Sequence, residues 1–138
     1  MKIVVIDSSV TVKWINQVDE KFLDNADKVL ADAQSSSIKL LSPELSKYEI
    51  GNALIKKGLN LRMAYESLAT VYQLPITFVS ESEELAKETY RIAQKEGLTY
   101  YDASFIALAK QQRALLITDN PKHQGKSTEV EVKSIKDY

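Results

Sequence analysis

The sequence predicts an α/β fold of three layers, in which a central, mostly parallel sheet of four to five strands is covered by helices on both faces. Short apolar runs of strand length, Ile3–Ile6, Lys39–Leu41, Ile76–Val79 and Ala114–Thr118, alternate with longer stretches of helical periodicity. The first run is continuous rather than alternating, which suits a strand with both faces buried. The stretch from Ala103 to Ala109 is rich in small residues, which lets a helix lie close on a sheet. Right-handed crossovers then connect the strands.

The first strand ends at Asp7, on the sheet edge where ligands bind in open α/β folds. Ser8 and Ser9 follow as helix-start residues, with Val10, Trp14 and, less well placed, Val12 for the inner face of a first helix. Asp7 reads equally well as an N-cap or as a functional carboxylate. A second helix can start at Asp19 or Asp24, carrying Phe22, Leu23, Ala26, Val29, Leu30 and Ala33 up to the serine break at 35–37. After the second strand, Ser42-Pro43 has the form of an N-cap with proline in the first turn, which predicts a helix from Pro43 to about Lys57 that stops at Gly58. On it Leu45, Tyr48, Glu49, Asn52 and Ile55 recur at three- and four-residue spacing, so Glu49 shares an inward face. An acid on a buried stripe needs a partner.

Leu61–Tyr72 predicts another amphipathic helix, in a hairpin with the one before, closed by Pro75. Ser80 with Glu83 has the form of a capping box for a helix carrying Leu85, Ala86, Tyr90 and Ala93 to Gly97. Asp102 then lies at the N-terminus of the alanine-rich helix, where the helix dipole favours a carboxylate. Capping is its simplest role. The fourth strand runs into Asp119-Asn120-Pro121, where Asp119 can be a turn residue, and Glu129–Ser134 is a weaker fifth strand.

Composition narrows the chemistry. The 138 residues, 1–138, are most simply one domain, of a size that buries roughly 68% of its unfolded surface. With no cysteine, disulfides and thiolate metal sites are excluded, and one histidine leaves little for an imidazole-based zinc site, so any metal must be held by oxygen. The apolar runs are too short to span a bilayer and Lys2 leads directly into a strand, so a soluble cytoplasmic protein is expected. A formal net charge of −1 argues against indiscriminate nucleic-acid binding but leaves room for a local basic rim.

Asp7, Glu49, Asp102 and Asp119 explain one another better than they explain themselves singly. Carboxylates gathered at one sheet edge repel by about 4 kcal/mol per pair at 4 Å with an effective dielectric near 20, so such a cluster wants a cation. Hard oxygen ligands select Mg²⁺ or Mn²⁺. A site of that kind binds a phosphodiester, acidifies an attacking water and stabilises the leaving oxygen without a side-chain nucleophile. Ser9 can orient a carboxylate there or simply cap the helix.

Four segments, Val5-Ile-Asp7-Ser-Ser-Val-Thr-Val-Lys-Trp14, Glu49-Ile-Gly-Asn52-Ala-Leu54, Thr99-Tyr-Tyr-Asp102-Ala103 with Ala107-Leu-Ala109, and Leu116-Ile-Thr118-Asp119, together resemble the PIN-domain family, and within it the VapC-type toxins of prokaryotic toxin–antitoxin pairs. The resemblance spans essentially the whole chain in the right order. It implies an α/β/α PIN-like fold, a Mg²⁺- or Mn²⁺-dependent endoribonuclease acting on RNA, usually a homodimer, and a small antitoxin that inserts a segment into the acidic cleft. It also implies metal-binding roles for Asp7, Glu49, Asp102 and Asp119, with Ser9, Asn52 and Thr118 as polar neighbours. One departure stands out: the family commonly reads Thr-x-Asp at the end of the fourth strand, whereas here Asp119 follows Thr118 directly and Asn120 holds the usual acid position. That displacement motivates an alternative, a catalytically silent PIN-like module binding RNA or protein. A receiver or haloacid-dehalogenase-like domain is disfavoured, because neither a paired acid beside Asp7 nor an Asp in place of Ser9 is present.

The remaining polar residues read as surface. His123, Lys122 and Lys126 can touch RNA phosphate at the cleft rim, but a solvated basic loop is the simpler reading, as it is for Lys13 and Arg62. Trp14, Tyr48, Tyr100 and Tyr101 can stack on bases, although aromatic residues beside apolar stripes more often belong to a core or an interface.

Overall fold

The computed structural model describes residues 1–138, apart from the side chain of His123. Five parallel strands, β1 (Lys2–Ile6), β2 (Ile38–Pro43), β3 (Ile76–Val79), β4 (Leu115–Thr118) and β5 (Val132–Ser134), lie in the order β3-β2-β1-β4-β5. The continuous apolar run of β1 splits by alternation between two cores. Val4 and Ile6 pack with Val10, Ala26, Val29 and Ile135, from α1 (Ser8–Ile15), α2 (Leu23–Gln34) and a closing 3₁₀ turn. Val5 packs on the opposite face with Leu85, Ile92, Phe105, Ile106 and Leu108, from α5 (Glu83–Glu96) and α6 (Tyr100–Gln112). The hairpin of α3 (Ser46–Lys56) and α4 (Leu61–Val71) meets α1 in a third core of Val12, Ile50, Leu54 and Val71. A short α7 (Pro121–Gln124) follows β4.

This strand order makes a switch point. The chain winds from β1 through β2 to β3 on one side, then returns to place β4 on the other side of β1. The crevice at the carboxyl ends of β1 and β4 is where such sheets take ligands, and Asp7 and Asp119 leave their strands there.

Local signals misplace several boundaries. Ser42 and Pro43 do not start a helix: they extend β2, opposite Phe78 and Val79 of β3, and the Ser42 hydroxyl donates to the Ile6 carbonyl at 3.0 Å. The helix expected from Pro43 to Lys57 therefore spans only Ser46–Lys56. Its inward stripe is Ser46, Ile50 and Leu54, while Tyr48 and Ile55 are 82% and 78% exposed. Glu49 lies half-buried at the edge of that stripe. The cap of α5 is Ser82, whose hydroxyl accepts the Leu85 N–H at 3.1 Å, two residues beyond the expected Ser80. Neither Asp19 nor Asp24 caps α2, which begins after Phe22 in a left-handed conformation (φ 56°). The fifth strand shortens from Glu129–Ser134 to three residues.

Candidate active site

Asp7 begins α1 with its backbone and not with its side chain. Its carbonyl accepts the Val10 N–H at 3.0 Å and its own N–H continues the ladder to Ile117 at 2.9 Å, while its carboxylate makes no capping bond. The carboxylate turns instead to two hydroxyls. Ser9 Oγ donates to Oδ2 at 2.7 Å and Thr118 Oγ1 donates to the same oxygen at 3.1 Å. Each hydroxyl also accepts an N–H from the exit of β4, Ser9 from Asp119 at 3.0 Å and Thr118 from Asn120 at 3.2 Å. Those two N–H groups decide which way the hydroxyl protons point, so both reach Oδ2. Neither hydroxyl goes to Oδ1, and the Ser8 backbone N–H also favours the carboxylate.

Glu49 is positioned by a chain of hydroxyls. Ser8 Oγ donates to Glu49 Oε1 at 2.7 Å and also meets Ser46 Oγ at 2.7 Å. A hydroxyl has one proton, so Ser46 is the donor to Ser8. No Lys or Arg pairs with Glu49 among the described residues. Asp102 stands in the first turn of α6, and its N–H donates to Thr99 Oγ1 at 3.0 Å, so Thr99 is the cap and the Asp102 carboxylate is spared that duty. Buried Gln124 donates to the Asp102 carbonyl at 3.3 Å and ties α7 to this helix.

The three acids feel one another. Burial pushes the Asp7 carboxyl above its ordinary value, and Asp102 adds to the effect against the two hydroxyl bonds and the Ser8 backbone N–H. Burial likewise raises Glu49, with Asp7 and Asp102 both contributing against the Ser8 bond. Three carboxylates from β1, α3 and α6 thus share one electrostatic environment with no basic residue among the causes of either shift. Asp119 goes elsewhere. Its Oδ2 lies 3.2 Å from Lys13 Nζ, in a groove of about 310 Å³ shared with Ser9, Glu20 and Lys57. Asn120 is exposed and caps α7 by accepting the Lys122 N–H at 3.2 Å. Asn52 is exposed one turn beyond Glu49.

The donor set suits a hard divalent cation. Among the described residues, no three acids stand close enough to hold an ion by themselves. Mg²⁺ and similar ions keep several waters and commonly use one or two carboxylates plus substrate phosphate, so separated oxygen ligands fit them. Hydroxyls and the Ser8 backbone N–H, and no basic side chain among the described residues, offset the negative charge of Asp7 and Glu49, which is the electrostatic condition a cation relieves.

Among the other polar and aromatic candidates, one expectation is overturned and the rest fall on the simpler side. Lys13 is no solvated rim residue: its side chain is fully buried. Trp14 donates its indole N–H to the Ala26 carbonyl at 2.8 Å and belongs to the α1/α2 core. Arg62, Lys122 and Lys126 are exposed, Arg62 beside Glu66 at 3.3 Å. Tyr48 and Tyr101 are exposed, and Tyr100 donates to Glu81. The His123 side chain lies outside the described residues. Sequence reasoning missed Ser8, Ser46 and Lys13 as parts of the site. Ser46 was hidden by the misplaced start of α3, whereas Lys13 sits four residues after Ser9 and so shares its helical face, a signal the pattern carries.

Residues 4–126 match the PIN domain family. Ribonuclease VapC3 of Pyrobaculum aerophilum is 27% identical over 123 residues, covering 86% of this chain and 88% of that protein. Two solved structures share the fold. VapBC2 from Rickettsia felis, bound to a DNA fragment from its promoter, has a TM-score of 0.69 at 14% identity, covering 96% of this chain and 98% of that one. A toxin–antitoxin complex from Klebsiella pneumoniae has a TM-score of 0.68 at 16% identity, covering 96% and 97%.

Proposed function

The chain belongs to the PIN-domain family, and from that membership we infer that it is a Mg²⁺- or Mn²⁺-dependent endoribonuclease, the toxin of a prokaryotic toxin–antitoxin pair. The observation that carries this reading is the convergence of Asp7, Glu49 and Asp102 at the switch point, with no basic side chain among the described residues to neutralise them. The similarity to a named ribonuclease supports RNA as the substrate.

Asp7, Glu49 and Asp102 would hold the cation, directly or through its waters. When bound, the cation supplies the positive charge that offsets carboxylates and phosphodiester and lowers the pKa of the attacking water. The protein's part is orientation. Ser9 and Thr118 lock one oxygen of Asp7, and the Ser46–Ser8 relay locks one oxygen of Glu49, so neither carboxylate spends entropy on finding its position. Asp102 sits where the dipole of α6 favours a carboxylate without a neutralising side chain.

Partners follow from the same relatives. The similarity to a toxin–antitoxin complex supports a small antitoxin as partner. Large apolar residues exposed along the α3–α4 hairpin, Tyr48, Ile55, Leu61, Tyr65 and Tyr72, support a protein-contact face, for the antitoxin or for a second copy in a homodimer. Among the described residues no helix is long and apolar enough to cross a membrane.

The test is cleavage of single-stranded RNA by the purified chain with Mn²⁺ or Mg²⁺ and its arrest by EDTA. Asp7→Asn is expected to abolish cleavage while the circular dichroism spectrum stays that of the parent. Metal-dependent cleavage retained in a folded Asp7→Asn removes Asp7 from the site. RNA binding without cleavage under any divalent ion supports the silent-module alternative.

A further inference from the structure

Helix α1 carries a lysine where an apolar residue would sit more cheaply. The Lys13 side chain has no exposed surface, and its ammonium is surrounded by Lys21 O at 2.6 Å, Asp119 Oδ2 at 3.2 Å and Glu20 Oε1 at 3.3 Å. The ammonium donates hydrogen bonds to Lys21 O and Glu20 Oε1 and makes an ion pair with Asp119. Glu20 is shared with Lys57, whose Nζ lies 2.8 Å from Oε2. Taking these charges out of water is expensive, and a well-packed apolar side chain commonly does as well for stability alone. The lysine is therefore better explained by what it holds.

What it holds is Asp119, from one end. The other end of Asp119 is its N–H, which donates to Ser9 Oγ at 3.0 Å, and Ser9 in turn donates to Asp7 Oδ2 at 2.7 Å. Ser9 and Lys13 are four residues apart on α1, so a single helical face grips both the amide and the carboxylate of Asp119. We propose that Lys13 is a positioning residue for Asp7: it anchors Asp119 so that the Asp119 N–H fills the Ser9 acceptor site, the Ser9 proton is directed onto Asp7 Oδ2, and the Asp7 carboxylate keeps one orientation toward the cation. Asp119, displaced by one residue from the family's usual acid position, serves in this link and not as a ligand. The consequence for the cation rests on the metal-dependent reading above; the link itself does not.

The sign of the effect separates positioning from simple electrostatics. By Coulomb's law alone, deleting a cation near an acidic pocket tightens divalent binding. Loss of positioning weakens it, by about tenfold for a residue that orients a ligand. Mn²⁺ is titrated calorimetrically into the full-length protein and into Lys13→Met, Ser9→Ala and the double variant, and hydrogen exchange at the Asp119 amide is followed by NMR without metal. Lys13→Met is expected to bind Mn²⁺ about tenfold more weakly, the double variant no more weakly than Ser9→Ala alone, and the Asp119 amide to lose protection. Unchanged or tighter Mn²⁺ binding in Lys13→Met, or effects that multiply in the double variant, overturns the proposal. If Lys13→Met does not fold, Asp119→Asn replaces it: non-additivity with Ser9→Ala supports positioning, and multiplying effects mark Asp119 as a ligand and overturn it. A parent protein that binds no Mn²⁺ removes the metal reading, and the exchange data then decide the link by themselves, lost Asp119 protection in Lys13→Met supporting it and retained protection overturning it.

Discussion

At the scale of the residue, the environment of each acid sets its task, and charge alone does not. Asp7 and Glu49 are held above their ordinary proton affinity by burial and by neighbouring carboxylates, Asp102 for Asp7 and both Asp7 and Asp102 for Glu49, so their ionised forms oppose folding in the absence of metal. Glu49→Gln is accordingly expected to raise the melting temperature of the metal-free protein and to shrink the rise that Mn²⁺ produces, as scanning calorimetry with and without the ion would show. A fall in the metal-free melting temperature would mean that the Ser8 bond outweighs the repulsion. The exit of β4 gives the opposite case. Asp119 is 30% exposed and paired with a fully buried lysine, so Asp119→Asn should destabilise by about 2 kcal/mol, less than the 3–5 typical of breaking a fully buried pair. Asn120→Ala loses only a cap on a four-residue helix and should cost less than about 1 kcal/mol. Urea titration of the two variants in parallel checks the ranking, and equal midpoints would sink it.

At the scale of the element, side-chain caps and strand ends decide which residues reach the cleft. The hydroxyl of Thr99 caps α6 and so releases the Asp102 carboxylate; the analogous job on α5 falls to Ser82. Both Ser80 and Ser82 offer a helix-start residue, and local sequence cannot rank them. Pairing of β3 with β2 up to Val79 ranks them, because it carries the chain on before the helix can start. Ser82→Ala should therefore destabilise by about 1 kcal/mol, and Ser80→Ala by no more than about 0.5. Denaturant midpoints for the two variants test the assignment, and the reverse order refutes it. The same competition explains α3. Ser42-Pro43 is a good helix start by composition, yet the Ser42 hydroxyl is taken by the Ile6 carbonyl within the sheet, and the helix opens three residues later.

At the scale of the whole molecule, two groups of carboxylates pull the pH dependence of stability in opposite directions. On the α5/α6 face, Arg91 beside Glu88 lowers its carboxyl from the ordinary 4.5 to about 2, and Lys110, Lys95 and Arg91 hold Glu129 far below its usual range. Between about 2 and 4.5 the folded chain binds fewer protons there than the unfolded chain, so this stabilisation is complete above about 4.5 and is lost as the pH falls toward 2. Asp7 and Glu49 have raised affinities, so above the ordinary carboxylate range the folded chain binds protons more readily than the unfolded one and acidification toward that range stabilises it. The metal-free protein is expected to be most stable at mildly acidic pH. Saturating Mn²⁺ should move the optimum toward neutrality and, at a hundred times its dissociation constant, add about 2.7 kcal/mol. Melting curves across pH with and without Mn²⁺ test both signs; a metal-free optimum at or above neutral pH would contradict the shared acidic pocket.

The periodicity of the chain determined the layered α/β architecture, because apolar alternation and strand-length runs are local consequences of which faces are buried. It also determined that Asp7 leaves β1 at the ligand-binding edge, since a strand ending in an acid can be read without knowing its neighbours. Residue spacing placed Glu49 and Asp102 on helices but not where their side chains stand, which depends on the start of α3 and on Thr99 taking the cap. Tertiary structure alone decided that Asp119 turns to Lys13, that Ser8 and Ser46 serve Glu49, and that three acids share one field. The physical reason is distance along the chain. Ser8 meets Glu49 across 41 residues and Thr118 meets Asp7 across 111, and no local propensity carries information over such separations.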